Sequence, residues 1–446
     1  MNNKRIILPV LALISLGLLT HFLFFGHPNQ VVFDEVHFGG FISNYYKHEY
    51  FFDIHPPLGK LAIAGFGKIF SFTPEVSFAE IGNKFPNKQY LALRFLPNLA
   101  GALLPAVIFL LLIEMGLGRK GAFLGGLLVG LENAILTQSL YILLDGFLLL
   151  SGFICLYFYF SYRNNPSLSK IIWTAVFGGL AISIKWTGAS FIAIPVFMEL
   201  FKFFKYRDLK TLAKNYALFL IIPFVIYFSS FWIHFSVLYK SGPGDAFMSL
   251  EFQKTLINNP QYDPSDPSRP NLFLKFVETN IEMYKANQRL TSTHSYGSTW
   301  YTWPFMTRPI FYWVENLSRI YLIGNPIVWW GSTVAILYLA LSLLTKNINF
   351  RDKNYLPLIL IGAYFLNILP FIGVKRVMFL YHYFSALIFG IMILAYLAES
   401  SPQSKKIMIA IAILSFLSFI FFSPLSYGLP LSPDWYEAHV WLKSWK

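Results

Sequence analysis

Apolar runs of about twenty residues recur from one end of this chain to the other, and about twenty residues is what an α-helix needs to cross a bilayer. They lie near residues 6–25, 91–113, 121–138, 145–162, 171–187, 188–204, 215–233, 323–344, 356–373, 378–397 and 407–423. Eleven such runs predict an all-α polytopic membrane protein with about 11 transmembrane helices. Of the 446 residues 56% are hydrophobic and only 13% charged, against about 25% charged in a soluble domain. A membrane β-barrel would show short alternating segments instead. The stretches 121–162 and 171–204 each read as two spans joined by a very tight connection. The first run follows Lys4 and Arg5, exceeds a signal-peptide h-region and lacks a small-residue cleavage site, so it is read as a span.

The loops predict the orientation. With the N-terminus cytoplasmic, Arg119, Lys120, Arg163, Lys170, the basic run Lys202–Lys214, Lys346, Arg351, Lys353, Lys405 and Lys406 all fall inside, as the positive-inside rule requires. The formal charge of +13 is thus spread through short loops, which argues against a nucleic-acid-binding face. The single cysteine, Cys155, permits no internal disulfide. Three segments are expected outside: 26–90, 234–322 and the tail after Phe422. The chain divides into an N-terminal membrane module (1–233), a long outer loop (234–322) and a C-terminal membrane module (323–446). In the long loop Phe273, Phe276, Val277, Ile281 and Tyr284 fall at helical spacing, predicting an amphipathic helix on the membrane surface.

Charge at the end of a membrane span is costly unless it faces a cavity or water, so it marks a functional site by default. The densest case is the outer segment holding Asp34-Glu35-Val36-His37 and His55-Pro56-Pro57-Leu58-Gly59-Lys60. A carboxylate there can serve as a general base. Alone, the acidic pair reads first as a solvated cap of a surface helix. The two side chains point about 100° apart on a helix, which suggests different jobs. Lys60 can hold a phosphate as a point charge, or snorkel to headgroups. His37 and His48 have no better claim than interfacial residues. Arg94, Glu132, Asp145, Lys185, His234 and Arg376 recur at the same outer face, and six such residues predict a shared polar cavity. Asp34, Glu35, Asp145 and the histidines show no metal-ligand spacing, so no metal or other cofactor is expected.

The same strings resemble the protein O-mannosyltransferases, membrane enzymes of the GT-C glycosyltransferase class. The resemblance runs through Phe33–Gly39, Tyr50–Lys60, the Arg94 helix, Glu132-Asn133, Ile142–Asp145, Lys185–Gly188, His234-Phe235, Ser241–Asp245, Trp300–Pro304, Gly324–Pro326 and Arg376–Tyr383, in the family's order. It implies a GT-C fold with its active site in the extracytoplasmic loops. It also implies inverting transfer of mannose from a polyprenyl- or dolichyl-phosphate carrier to Ser or Thr hydroxyls of secreted or membrane proteins. Asp34 then resembles the catalytic acid-base residue, with Glu35 beside it. His55, Lys60, Arg94, Asp145, Lys185, His234, Arg376, Tyr381 and His382 would lie near donor phosphate or acceptor. The long outer loop has no β-trefoil (MIR) insert, which points to a prokaryotic form. Leu140 stands where many members carry arginine. Two other readings remain: a relative acting on a lipid or glycan acceptor, as aminoarabinose transferases do, and a polyprenyl-lipid transporter, which the lack of a visible repeat disfavours.

Overall fold

The computed structural model describes residues 4–289, 293–345 and 355–446. Helix α1 (Lys4–Phe22) leads into two short outer helices, α2 (Glu35–Lys47) and α3 (Leu58–Ile69). There follow α4 (Tyr90–Glu114), α5 (Arg119–Gly130), α6 (Asn133–Ser139), α7 (Asp145–Asn164), α8 (Leu168–Ile184), α9 (Ala189–Tyr206) and α10 (Leu209–Val237). The long loop contains α11 (Leu250–Gln253), α12 (Leu272–Arg289) and a hairpin of β1 (Ile310–Glu315) and β2 (Ser318–Leu322). The chain ends with α13 (Pro326–Leu344), α14 (Leu356–Ile368), α15 (Phe384–Ser400), α16 (Ser404–Tyr427) and α17 (Pro433–His439).

Among the described residues nine helical segments are long and apolar enough to cross a membrane. The other two expected spans are less regular. Helix α8 is 17 residues long. The 121–138 run breaks at Leu131-Glu132 into α5 and α6. A broken helix at membrane depth must have its freed backbone groups satisfied by protein. Here the Glu132 carboxylate accepts from Ala134 N (3.1 Å) and Asn325 N (3.0 Å), and Asn325 Nδ2 donates to the Leu131 carbonyl (2.9 Å). Glu132 therefore caps α6, and Asn325 caps α13. The two tight connections are the turn at 140–144 and a 3₁₀ turn at Trp186–Gly188. Lys346, Arg351 and Lys353 lie outside the described residues.

Helix α4 is central, packed against α1, α5 and α7, while α8 lies between α7 and α10. Outward faces carry exposed Leu8, Leu220, Phe224, Leu337, Leu341 and Leu417, the surface a lipid-facing helix presents. The amphipathic helix is present as α12, and its Phe276 packs on Tyr227, Phe228 and Phe231 of α10. The hairpin was not expected. Its register shifts between Phe311 and Trp313, which breaks the alternation that marks a strand in sequence. It brings Tyr312 beneath the start of α2.

Close helix approach depends on Gly17 of α1. A Cβ there would lie 1.9 Å from the Ala102 carbonyl oxygen of α4. Gly17→Val is expected to destabilise the detergent-purified protein by about 1–3 kcal/mol, read as a lowered thermal unfolding midpoint. Gly65→Ala, where nothing lies within 4 Å, should not lower it.

Candidate active site

The site begins with a backbone turn. Phe33 takes a left-handed φ of 45° and stacks on Tyr312 with ring centroids 4.0 Å apart. The turn sends the next two carboxylates in different directions. Glu35 goes inward and is wholly buried. Its two oxygens meet Arg94 Nε and Nη2, each at 2.7 Å, and also accept from Val32 N and Ile142 N, each at 2.9 Å. Arg94 donates further to the carbonyls of Gly26 (3.2 Å), Pro28 (2.8 Å) and Gln30 (2.7 Å). A guanidinium has five N–H groups, and all five are engaged.

Lys60 is committed in the same way. Its ammonium pairs with Asp53 and donates to the carbonyls of His55 (2.9 Å) and Pro56 (3.1 Å). An ammonium has three N–H groups, so none is left over. Lys60 thus fixes the loop that presents His55. His234 hydrogen-bonds to Tyr45 through Nδ1 (2.8 Å) and is ringed by Phe51, Phe231 and Phe235. These placements bear on four of the expected site residues. Arg94 and Lys60 have no donors spare for a donor phosphate, Glu35 has no free oxygen for proton transfer, and His234 lines neither of the two chambers described next. Glu132, a helix cap, is also outside them. The single cavity expected from six polar residues therefore narrows to Asp145, Lys185 and Arg376.

Two adjoining chambers hold the remaining residues. The first, about 280 Å³, is lined by Asp145, Lys185 and His382 along with apolar groups of α7, α14 and α15. The second, about 680 Å³, is lined by Asp34, His37 and Asp53 with the aromatic rings of Phe33, Phe41 and Phe52. Ile54, His55, Arg376 and Tyr381 belong to both and form the wall between them. Asp145 accepts from Gln138 (2.6 Å) and Lys185 (2.8 Å), and Lys185 lies over the Tyr381 ring. Arg376 hydrogen-bonds to His382 (3.2 Å) and faces no carboxylate in an ion pair among the described residues. Lys185 and Arg376, beside and at the wall between the chambers, therefore have donors to spare.

Asp34 is half-buried, and its carboxyl has no ion pair or hydrogen bond among the described residues. Withdrawal from water pushes its pKa up to about 6; the charges of His37 and Lys185 pull it down, while Asp145 and Asp53 push it up. His55 is held well below the ordinary histidine range, first by burial and then by Lys185, Arg376 and Lys60. Its ring is neutral near pH 7. No three metal-ligating side chains of the His, Cys, Asp and Glu types gather among the described residues. The sequence reading missed Asp53 as the partner of Lys60, and it missed Gln138, which bridges Asp145 and Tyr312. The signal for Gln138 was a lone amide at the end of an apolar run. Leu140, where arginine was expected, is buried, and its carbonyl accepts from Asn98 (2.9 Å).

The family model described as dolichyl-phosphate-mannose-protein mannosyltransferase matches residues 11–239, and that of the C-terminal four-transmembrane region of protein O-mannosyltransferase matches 272–445. The chain is similar to dolichyl-phosphate-mannose–protein mannosyltransferase 4 of Candida albicans, 38% identical over 281 residues, which is 58% of this chain and 37% of the relative. It thus spans about a third of the length of curated relatives it matches. Its fold is similar to a chain of the S. cerevisiae protein O-mannosyltransferase Pmt1-Pmt2 complex bound to the sugar donor, with a TM-score of 0.94 at 21% identity, covering 100% of this chain and 93% of the other. It is also similar to ArnT from Cupriavidus metallidurans bound to undecaprenyl phosphate, with a TM-score of 0.56 at 12% identity, covering 96% and 77%. The expected GT-C fold is thus the one observed.

Removing one partner of a buried ion pair leaves the other uncompensated and costs about 3–5 kcal/mol. Arg94→Met and Glu35→Gln are expected to lower the thermal unfolding midpoint accordingly. Arg376→Gln, which breaks no ion pair, should leave that midpoint nearly unchanged.

Proposed function

The chain belongs to the dolichyl-phosphate-mannose-protein mannosyltransferase family, and from that premise we propose that it transfers mannose, with inversion, from a polyprenyl-phosphate carrier to Ser or Thr hydroxyls of exported proteins. It is a multi-pass membrane protein, and in this reading its N-terminus is cytoplasmic and both chambers open on the extracytoplasmic side. The observation that carries the reading is the unpaired carboxylate of Asp34 in a chamber whose wall holds Arg376. The other acids lining that chamber are already engaged, Asp53 by Lys60 and Glu282 by Lys285.

The chemistry divides along the wall. Lys185 and Arg376 hold the carrier phosphate from the first chamber and stabilise the charge that grows on it as the sugar leaves. The acceptor hydroxyl lies in the second chamber. Its oxygen forms a bond to the anomeric carbon from the face opposite the phosphate. The old bond to the phosphate oxygen breaks, and its electron pair leaves with the phosphate. Asp34 takes the hydroxyl proton. Phosphate is already a good leaving group, so no general acid is needed, and the cations do the work a metal ion would do. The carrier's isoprenoid stays in the bilayer, which explains why such a site sits at the ends of membrane helices.

Asp34→Asn is expected to lower transfer of labelled mannose to a Ser/Thr peptide by about 10²–10⁴-fold while the carrier still binds. Unchanged turnover would remove Asp34 from the mechanism, and label on lipid alone would redirect the acceptor assignment. A base must be ionised to act, and the Asp34 carboxyl titrates near 6. Transfer should therefore rise about tenfold per pH unit below that value and level off above it. Chelation by EDTA should leave the rate unchanged.

A further inference from the structure

His37 stands one helical turn after Asp34. Its backbone N–H donates to the Asp34 carbonyl (3.0 Å), and residues three apart lie on neighbouring positions of a helix face. Both side chains line the larger chamber. The His37 side chain is exposed, and its ring has no hydrogen bond or ring contact among the described residues. Of the charges that act on Asp34, that of His37 is the largest.

The general base has a problem that its own geometry does not solve. Each transfer leaves a proton on a recessed carboxyl, and the carboxylate must be restored before the next hydroxyl arrives. We propose that His37 is the proton outlet of Asp34: its ring accepts the proton taken from the acceptor hydroxyl and releases it to water. The inference rests on the reading of Asp34 as the base. The bond changes at the sugar are those given above. The added step moves one proton from the Asp34 carboxyl to a ring nitrogen of His37 and then to solvent, with no oxidant or co-reactant.

The groups facing this pair do not offer a substitute. Lys60 occupies Asp53, Lys285 occupies Glu282, and His382 contacts Arg376. His294 accepts from Tyr296 N through Nδ1. His55 is buried among cations that oppose its protonation. Lys185 and Asp145 act on Asp34 from the adjoining chamber, where they pair with each other. Arg289 and Tyr381 also line the chambers, but a guanidinium has no acceptor and a phenol offers no ring nitrogen to take a proton. An imidazole nitrogen can accept a proton and hand it on to water, and the His37 ring is the exposed one beside Asp34.

His37 acts through Asp34, and its test must separate relay from structure. With purified full-length protein, labelled polyprenyl-phosphate mannose and a Ser/Thr peptide in dilute buffer, His37→Gln is expected to lower kcat about tenfold, less than the roughly 10²–10⁴-fold of a group acting on the reacting atoms. KM for donor and peptide should hold, and added imidazole should restore kcat. An unchanged kcat, or a loss that imidazole does not restore, overturns the relay. Full activity of Asp34→Asn in the same assay would instead sink the base assignment, and the relay with it. Because the ring is exposed, His37→Ala should fold as well and show the same rescue.

Discussion

The Glu35–Arg94 ion pair is the contact on which the site depends. Burying two charges costs several kcal/mol each, and only excellent geometry with every remaining hydrogen bond filled repays it. That condition is met: Arg94 uses all five of its donors, three on carbonyls of the segment 26–30, and Glu35 accepts four bonds. The pair ties the connection after α1 to α4 and to the turn before α7. With Glu35 anchored inward, Asp34 on the preceding residue cannot follow it. Two adjacent acids thereby acquire opposite roles, one wholly engaged and buried, the other without an ion pair or hydrogen bond among the described residues and open to a chamber.

Lys60 repeats the arrangement on a smaller scale. It closes the Asp53–Pro57 loop on itself, and the loop delivers His55 to the wall between the chambers. Charge in this protein is thus of two kinds. One kind is saturated by protein groups and holds backbone in place. The other, which includes Lys185 and Arg376, keeps donors unused and lines the chambers. An anionic substrate can be recognised only by the second kind, and the first kind keeps the second in position.

Much of this was legible in the sequence and some was not, for physical reasons. Helices crossing a bilayer announce themselves through length and uniform apolarity, so α1, α4, α7 and α15 lie close to where the runs predict. Phe276 and its neighbours marked α12 by their spacing. Asp34, Asp145, Lys185 and Arg376 stood out because charge is rare in such a chain. Saturation, however, is a property of three-dimensional partners. Arg94 and Arg376 look alike in sequence, yet one meets Glu35 and three backbone carbonyls beyond it, while the other hydrogen-bonds a single histidine among the described residues. The partners of Arg94 come from residues 26–35, more than fifty positions away, and no periodicity encodes that distance. The hairpin was hidden for a different reason, since its bulge at Phe311–Trp313 erases the alternation of an ideal strand.

The division between holding charges and binding charges is open to direct observation. A structure determined with a polyprenyl-phosphate sugar bound should place the phosphate against Lys185 and Arg376, with the anomeric carbon turned toward Asp34 and the Glu35–Arg94 and Asp53–Lys60 pairs intact. A phosphate seated on Arg94 or Lys60, with either pair opened to receive it, would contradict the account.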